Sequence, residues 1–356
     1  MIIGFNLFPF NKPQHDINFL YNRAEPITIA SAFKTWDAQQ YIFLAENGYH
    51  TNSPLNLVIY PLYPFLIKVF EVLFLNNSLL CGLVLSNFFS FIAIIFFYYF
   101  VEKLFSPKTA FIASVLLLSF PTAFYMSLVY TEALFLMLVL IFFYFLYVRK
   151  HFAAFVAAFF LPLTRPQGIL VAVSLTVFIV SKLIKRGSNR KDIFCDCLLL
   201  FAFMGGEMVY LIFMKHLSGA YFTGFEAQKY YLGHASIGNI FDLHSWFLRN
   251  FVHIKFAFHG FTTSSIDRLF FCSFLLLLWP MCKDLDKTLF FYAVVICLIP
   301  ALSDSFMAYS RYVLPAFPLF IVLAKRLNNK SYFLALLMFV SQLVFLLAHS
   351  LNYWIA

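Results

Sequence analysis

A carboxylate beside an aromatic ring is the first group in this sequence that could do chemistry. Asp37 follows Trp36 directly and opens a short segment that continues to Tyr41. At a membrane surface, such a carboxylate suits a general base that accepts a proton from a sugar hydroxyl. The same pair also fits an interfacial Trp anchor followed by a helix-capping Asp, so the motif alone leaves both interpretations open.

Two arginines interrupt long apolar runs. Arg165 lies in the polar run 164–168, and Arg311 precedes Tyr312 and an apolar segment that contains prolines. The guanidinium group offers a planar set of donors that matches phosphate, and it stays charged when it is partly desolvated. These arginines could therefore hold a lipid phosphate, although snorkelling to ordinary lipid headgroups explains each of them as well.

A further ionisable group, Glu132, follows Tyr130 and Thr131 inside the otherwise apolar stretch 120–147. A charged side chain at membrane depth is costly. Glu132 therefore indicates either a functional group or a structural ion pair with an arginine.

Two prolines, Pro61 and Pro64, flank Tyr63 at the entry of an apolar segment. Proline fixes the backbone angle φ and removes a hydrogen-bond donor. This spacing is typical of a rigid bend or a re-entrant helix that shapes a cavity, or else of a simple junction between a loop and a helix.

The elements that must position these groups are membrane helices. Of 356 residues, 62% are hydrophobic and 12% are charged, whereas an average soluble domain has about 25% charged residues. Apolar runs of about 20 residues recur and match the roughly 30 Å hydrocarbon core of a bilayer. The sequence predicts an all-α polytopic membrane protein, a single domain over 1–356 with about ten transmembrane helices. The predicted spans are 78–101, 109–127, 130–148, 152–163, 168–184, 193–214, 269–282, 288–303, 312–324 and 331–351.

Lysine and arginine concentrate in alternate loops, and short loops of this kind are cytoplasmic. The positive loops lie around 101–108, 149–150, 182–191, 283–287 and 325–330. The polar motifs fall in the opposite set, which predicts an active site on the non-cytoplasmic face of a multi-pass membrane protein. In that set, residues 11–77 form a first outer loop with short amphipathic or re-entrant helices, and residues 215–268 form an outer cap.

The apolar segment 1–10 is too short to cross a bilayer. Because the loop that carries Asp37 is predicted to lie outside, this topology leads us to expect one more helix ahead of it.

The sequence excludes several other chemistries. The net charge of +9 is spread over short loops rather than gathered on one element, which argues against a nucleic-acid partner. There is no Gly-rich phosphate loop, zinc-protease motif or nucleophile elbow, and the six cysteines and nine histidines lack ligand or disulfide spacing. We therefore expect no cofactor and no metal site.

Taken in order, the motifs of this chain resemble the GPI mannosyltransferase 2 (PIG-V type) family. The resemblance runs from about residue 16 to residue 320 and rests on residues 36–37, 46–49, 60–64, 130–132, 165–168, 310–312 and 317–318. It implies a glycosyltransferase of the GT-C class, with a GT-C-like helical bundle. Such an enzyme would take a hexose, mannose in this family, from a polyprenyl-phosphate donor. It would transfer the sugar, with inversion, to a glycolipid or another acceptor at the membrane surface.

The resemblance also implies roles for individual residues. Asp37 would deprotonate the acceptor hydroxyl. The donor phosphate would be bound by Arg165, Arg311 and Tyr312. The acceptor would be positioned by Trp36, Tyr63, Tyr130 and Glu132. Glu132 has an alternative role, which is to tie down one of the arginines.

A transporter or flippase of a lipid-linked saccharide is the other class of protein that combines aromatic-rich spans with arginines. Such a protein is expected to have broken helices in matching halves and polar groups near the bilayer midplane. The sequence shows no such symmetry. A purely structural membrane subunit would leave the clustering of polar groups in one set of loops without a cause.

Overall fold

The computed structural model describes residues 1–19, 26–51, 54–184, 189–230, 237–253, 264–303 and 306–355, and within them it contains helices and no β-strand. The α-helices are α1 Ile2–Leu7, α2 Lys12–Asn18, α3 Ile29–Phe33, α4 Asp37–Asn47, α5 Pro54–Val58, α6 Leu62–Phe70, α7 Ser78–Leu104, α8 Pro107–Ser119, α9 Glu132–Tyr147, α10 His151–Phe160, α11 Val171–Ile184, α12 Arg190–Ser218, α13 Thr223–Ala227, α14 Leu243–Phe247, α15 Ser265–Asp284, α16 Lys287–Ser303, α17 Tyr309–Val313, α18 Pro318–Leu327 and α19 Ser331–Ser350. Short 3₁₀ turns, among them Ala123–Ser127, Leu161–Leu163 and Pro166–Gly168, join several of these helices.

Within the described residues, five helical runs are long and apolar enough to cross a membrane: Ser78–Leu104, Pro166–Ile184, Arg190–Ser218, Ser265–Asp284 and Pro318–Ser350. Four shorter apolar helices accompany them: Pro107–Ser119, Glu132–Tyr147, His151–Leu163 and Lys287–Ser303. Their exposed surfaces are rich in Leu, Phe, Val and Ile, as expected where lipid replaces water as the solvent. The protein is an all-α polytopic membrane protein, which confirms the fold class predicted from the sequence.

The run Pro318–Ser350 reverses direction at Asn328, whose φ is 46°. Helix α18 runs antiparallel to α8. Phe320 contacts Phe120 just after the end of α8, and Lys325 lies over the ring of Phe105 just before its start. Helix α19 then runs back along α8, since the Gln342 side chain donates to the carbonyl of Leu118 near the end of α8. Two antiparallel helices therefore occupy this run, in agreement with the two predicted spans.

Each predicted span contains a helix, but the prediction of one continuous span over 312–324 was wrong. Helix α17 ends at Val313 and α18 begins at Pro318. Pro315 and Pro318 have no backbone N–H and cannot continue the hydrogen-bond ladder of a preceding turn. In the same way, α8 ends at Ser119 just before Pro121, although the predicted span continued to residue 127.

The loop 11–77 contains the short helices α2 to α6, which confirms the prediction of short helices in this region. The described part of 215–268 contains α13 and α14. Helix α4 reaches the start of α9, because the Tyr41 hydroxyl lies 3.3 Å from that of Thr131.

Ion pairs join the loops that were predicted to be cytoplasmic. Asp196 at the start of α12 accepts from Lys182 at the end of α11, at 2.5 Å, and from His151 at the start of α10, at 3.1 Å. Asp284 at the end of α15 pairs with Arg326 at the end of α18, at 2.5 Å. These loops therefore lie at one end of the bundle, whereas the polar motifs meet at the other.

The centre of the bundle is an aromatic cluster. Phe317 is the last residue of the break between α17 and α18. Its ring centroid lies 5.8 Å from that of Phe97, 5.8 Å from Phe100, 5.6 Å from Phe143 and 5.3 Å from Tyr292. Buried aromatic contacts of this kind stabilise a packing arrangement beyond the area they bury. The cluster therefore anchors the non-helical segment that follows Arg311.

Candidate active site

Asp37 is the first residue of α4. The preceding residue, Trp36, has φ 55° and ψ −133°, a backbone conformation that residues with a side chain rarely adopt. The Thr35 hydroxyl donates to the carbonyl of Ala32 at 2.9 Å and closes the turn ahead of it. This sharp turn places the Asp37 carboxylate at a helix N-terminus, where the helix dipole favours a negative charge.

Four charged side chains from four parts of the chain form one network. Arg311 Nη1 lies 2.8 Å from Asp37 Oδ2, and Arg311 Nη2 lies 2.7 Å from Glu132 Oε1. Arg311 Nε also donates to Glu132 Oε1 at 2.8 Å. Arg165 Nη1 contacts the same carboxylate oxygen at 3.1 Å. Glu132 thus joins both arginines, and Arg311 joins Glu132 to Asp37.

Exposure increases along this network from its centre to the cavity. The Glu132 side chain is 0% exposed, Arg311 is 7% exposed, Arg165 is 11% exposed and Asp37 is 23% exposed. Burial by itself would lower the pKa of Arg311, but the carboxylates of Glu132 and Asp37 outweigh it and hold this pKa well above its ordinary value. Arg311 therefore stays charged throughout the working pH range.

Aromatic rings surround both guanidinium groups. The Arg311 guanidinium carbon lies 4.9 Å from the centroid of Tyr125 and 4.8 Å from that of Tyr130. The Arg165 guanidinium carbon lies 5.6 Å from the centroid of Tyr312. The negative face of an aromatic ring attracts a cation at these distances. The rings therefore hold the arginines in place without neutralising them.

The segment that carries Arg165 depends on a close backbone approach at Gly168. A Cβ atom on Gly168 would lie 2.0 Å from the carbonyl oxygen of Leu161 and 2.7 Å from the nitrogen of Pro162. Only glycine fits there, because backbone atoms cannot yield as a flexible side chain can. The polar run 164–168 is thereby folded back onto the end of α10, and Arg165 projects toward Glu132.

The segment that carries Arg311 begins at Ala308, whose φ is 55°. The Ser310 backbone N–H donates to Asp267 Oδ1 at 2.8 Å, and the Thr122 hydroxyl donates to the Ser310 carbonyl at 3.1 Å. Asp267 is fully buried at the start of α15. Two distant elements therefore fix the backbone next to Arg311.

A cavity of about 470 Å³ opens beside the network. Its wall includes four of the predicted site residues: Asp37, Arg165, Arg311 and Tyr312. Apolar side chains just ahead of α11 and in α16, such as Leu170 and Ile299, form much of the remaining surface. A largely apolar cavity with a few convergent polar groups is the usual form of a small-molecule site.

The other four predicted residues lie behind this wall, and their proposed role in positioning an acceptor stays a prediction. Glu132 joins the arginines and Tyr130 underlies Arg311, as described above. Tyr63 is buried: its hydroxyl donates to the Gly82 carbonyl at 3.0 Å and lies 2.5 Å from the Ser86 hydroxyl. Trp36 packs edge to face on Trp354, with ring centroids 5.1 Å apart.

Several residues of the cavity wall were not predicted from the sequence. Tyr41 lies four residues after Asp37, a helical spacing that places both on one face and could have identified it. Its hydroxyl lies 3.3 Å from that of Thr131, and burial raises its pKa well above the ordinary value, so it remains a hydrogen-bond donor. Glu226 and Trp354 also line the cavity, but no local pattern marks either of them.

Two polar groups at the wall have unused hydrogen-bonding capacity within the described residues. Gln167 Oε1 is buried without a donor. Arg165 makes its one side-chain hydrogen bond through Nη1, so Nε and Nη2 have no acceptor in this part of the chain. Buried polar groups normally have partners. A ligand that offers an anionic oxygen to Arg165 and a hydroxyl to Gln167 would satisfy both.

The described ranges contain no group of three or more His, Cys, Asp or Glu side chains that could hold a metal ion.

No protein-family model and no curated protein matches this chain. Among solved structures, the chain is similar to an oligosaccharyltransferase of Archaeoglobus fulgidus whose crystal structure is a complex with zinc and sulfate. The TM-score is 0.49 and the sequence identity is 10%; the alignment covers 99% of this chain and 53% of the oligosaccharyltransferase. The chain thus spans about half the length of that enzyme. The function of the cavity therefore has to be inferred from its own residues.

Proposed function

We propose that this protein is a membrane glycosyltransferase that moves a hexose from a polyprenyl-phosphate donor to a lipid-linked or cell-surface acceptor, with inversion. The observation that carries the proposal is the network of Asp37, Arg311, Glu132 and Arg165 at the wall of a cavity in an apolar helical bundle. The choice of mannose as the hexose rests on the resemblance of the motifs to the GPI mannosyltransferase 2 family.

The arginines suit the phosphate of such a donor. Arg165 has unused donors at the cavity wall within the described residues, and Arg311 stays charged despite its burial. Arg can present two parallel donors to phosphate oxygens, a geometry that gives strong, oriented binding. The apolar wall formed by Ile169 and Leu170 ahead of α11 and by Ile299 of α16 suits the isoprenoid part of the same molecule.

Asp37 suits the role of general base. Its carboxylate lies at the cavity wall, and one oxygen, Oδ2, is held by Arg311. The acceptor oxygen attacks the anomeric carbon and forms the new glycosidic bond, while the bond between that carbon and the phosphate oxygen breaks. The hydroxyl proton passes to Asp37, and the electron pair of the broken bond leaves with the polyprenyl phosphate. Attack opposite to the leaving group inverts the anomeric configuration.

The charges of the network favour this displacement. In the free site, two arginines face two carboxylates, so their formal charges cancel. When Asp37 accepts the proton it becomes neutral, and the leaving phosphate gains one negative charge. The net charge of the site is unchanged, but negative charge has moved from Asp37 to the phosphate. Arg311, released from its ion pair with Asp37, is then available to stabilise that phosphate, and it does so most strongly as the charge develops.

The loop charges support a location on the non-cytoplasmic face. Along the chain, the five loops rich in Lys and Arg alternate with the loops that carry the polar residues of the cavity. Short positive loops remain in the cytoplasm. On this topology, donor and acceptor meet on the outer side of the membrane.

The proposal is tested with purified protein in liposomes and a labelled short-chain polyprenyl-phosphate mannose. Extracted membrane lipids serve as acceptors, and the anomeric configuration of the product is read by glycosidase digestion. We expect transfer of label to a lipid product of inverted configuration. Movement of the donor across the liposome membrane without a glycosylated product would contradict the proposal and would favour a flippase.

A further inference from the structure

Trp354 follows α19 and lines the same cavity as Asp37. Its ring packs edge to face on that of Trp36, with an interplanar angle of 75°. Trp36 is the strained residue that turns the chain into α4. Trp354 is therefore both a wall of the cavity and a neighbour of the turn that presents the carboxylate.

The fold holds the segment around Trp354 in a defined position. Asn352 has φ 62°, which turns the chain at the end of α19. The Asn11 N–H donates to the Leu351 carbonyl at 2.9 Å, and the Tyr353 N–H donates to the Ala348 carbonyl at 2.9 Å. Leu351 and Ile355 on either side of Trp354 are both 6% exposed. Hydrogen bonds of the neighbouring backbone and burial of the neighbouring side chains therefore fix the position of Trp354.

A chain of contacts links Trp354 to Arg165 and shows which groups lie near each other at the cavity. Trp354 contacts Trp36, which precedes Asp37. Asp37 contacts Arg311, and Arg311 reaches Arg165 through Glu132. The aromatic neighbours of Arg165 are instead Tyr312 and Phe135. Through its contact with Trp36, Trp354 therefore lies at the Asp37 end of this chain of contacts, and the phosphate-binding donors of Arg165 lie at the other end.

The molecule that gives its proton to Asp37 is the acceptor, so the surface next to Asp37 belongs to the acceptor. We infer that Trp354 forms the wall of an acceptor subsite for a polyhydroxylated six-membered ring. This inference rests on the proposed function. Such a ring has apolar C–H faces between its hydroxyl groups, and a large planar side chain offers it a matching apolar surface at low conformational cost. The hydroxyls at the rim of the ring would then reach Asp37.

The test compares two amphiphilic acceptors that differ in the ring. Octyl mannopyranoside presents hydroxyls on a six-membered ring, whereas 1-O-octylglycerol presents them on an open chain. Transfer to each is measured for the parent protein, Trp354→Ala, Trp354→Phe and the control Tyr353→Ala. Tyr353 is adjacent in sequence, is 47% exposed and does not line the cavity.

We expect Trp354→Ala to raise KM for the pyranoside about tenfold while leaving KM for the donor and transfer to the open-chain acceptor unchanged. Trp354→Phe should restore most of the loss, and Tyr353→Ala should behave as the parent protein does. An equal loss with both acceptors, or no loss with either, would overturn the inference. A parent protein active on extracted lipids but not on the pyranoside would also overturn it. A parent protein that transfers to no acceptor would instead refute the proposed function.

Discussion

Replacement of Asp37 by Asn separates the chemical role of this carboxylate from its structural role. Asn has nearly the same shape as Asp and can still accept a hydrogen bond from Arg311 Nη1, which lies 2.8 Å from Asp37 Oδ2. It has no basic oxygen that could take a proton from an acceptor hydroxyl. The substitution therefore removes the proposed base and preserves most of the packing.

The substitution should reduce the catalytic rate much more than it reduces the free energy of unfolding. A positioned general base contributes about 10²- to 10⁴-fold to the rate, which is about 3 to 5 kcal/mol of activation free energy. Arg311 keeps both of its bonds to Glu132 in the variant. The free energy of unfolding should therefore fall by only about 1 kcal/mol, the contribution of one hydrogen bond whose ionic character is screened at a partly exposed site.

The assay measures kcat for transfer from labelled donor, together with the midpoint of thermal unfolding in detergent. Glu46→Gln is the matched control, because it removes one carboxylate from the same helix at an exposed position outside the cavity wall. We expect a loss of at least about 100-fold in kcat for Asp37→Asn and parent-like behaviour for the control. Near-normal turnover by Asp37→Asn would remove this residue from the mechanism, and unfolding of the variant would show that its role is structural.

Three further substitutions test the surroundings of the base. Arg165→Lys keeps the charge but loses the planar fork, so KM for the donor should rise about 10- to 100-fold in steady-state assays; an unchanged KM would exclude Arg165 from phosphate binding. Glu132→Gln leaves two buried arginines facing a single carboxylate, and thermal unfolding should show a loss of about 3 to 5 kcal/mol; a variant as stable as the parent would contradict a structural tie. Gly168→Ala brings a methyl group 2.0 Å from the Leu161 carbonyl oxygen and should lower the yield of folded protein, whereas the control Gly205→Ala makes only an ordinary contact of 3.4 Å. Equal yields of these two variants would contradict the close approach.

Local chemistry explains why the sequence predicts several residues of the candidate site. Arg165, Glu132 and Arg311 each interrupt an apolar run, and a charge at such a position is visible without a structure because its burial is costly. Their individual roles in catalysis stay predictions. Because positive loops alternate with loops that carry the polar motifs, the sequence also predicts that these residues lie at one end of the bundle.

The pairs of residues that contact each other within the site could not be predicted from local chemistry. Asp37 and Arg311 are separated by 274 positions, and Glu132 and Arg311 by 179. Periodicity and hydropathy describe neighbours within a few turns of helix and carry no information about such contacts. The sequence alone therefore left open whether the arginines reach lipid headgroups or bind a phosphate, and whether Glu132 ties down one of them.

By itself, the sequence determined that this protein is a bundle of membrane helices, because long apolar runs have only one stable arrangement in a bilayer. The breaks near Pro121 and Pro315 were not predicted from the sequence, although proline chemistry explains them once the helices are seen. Only the tertiary structure decided that Trp354 packs on Trp36 and lines the same cavity as Asp37, and that one glutamate joins two arginines. These contacts depend on how whole helices pack against one another, and packing is a property of the complete set of elements rather than of any local pattern.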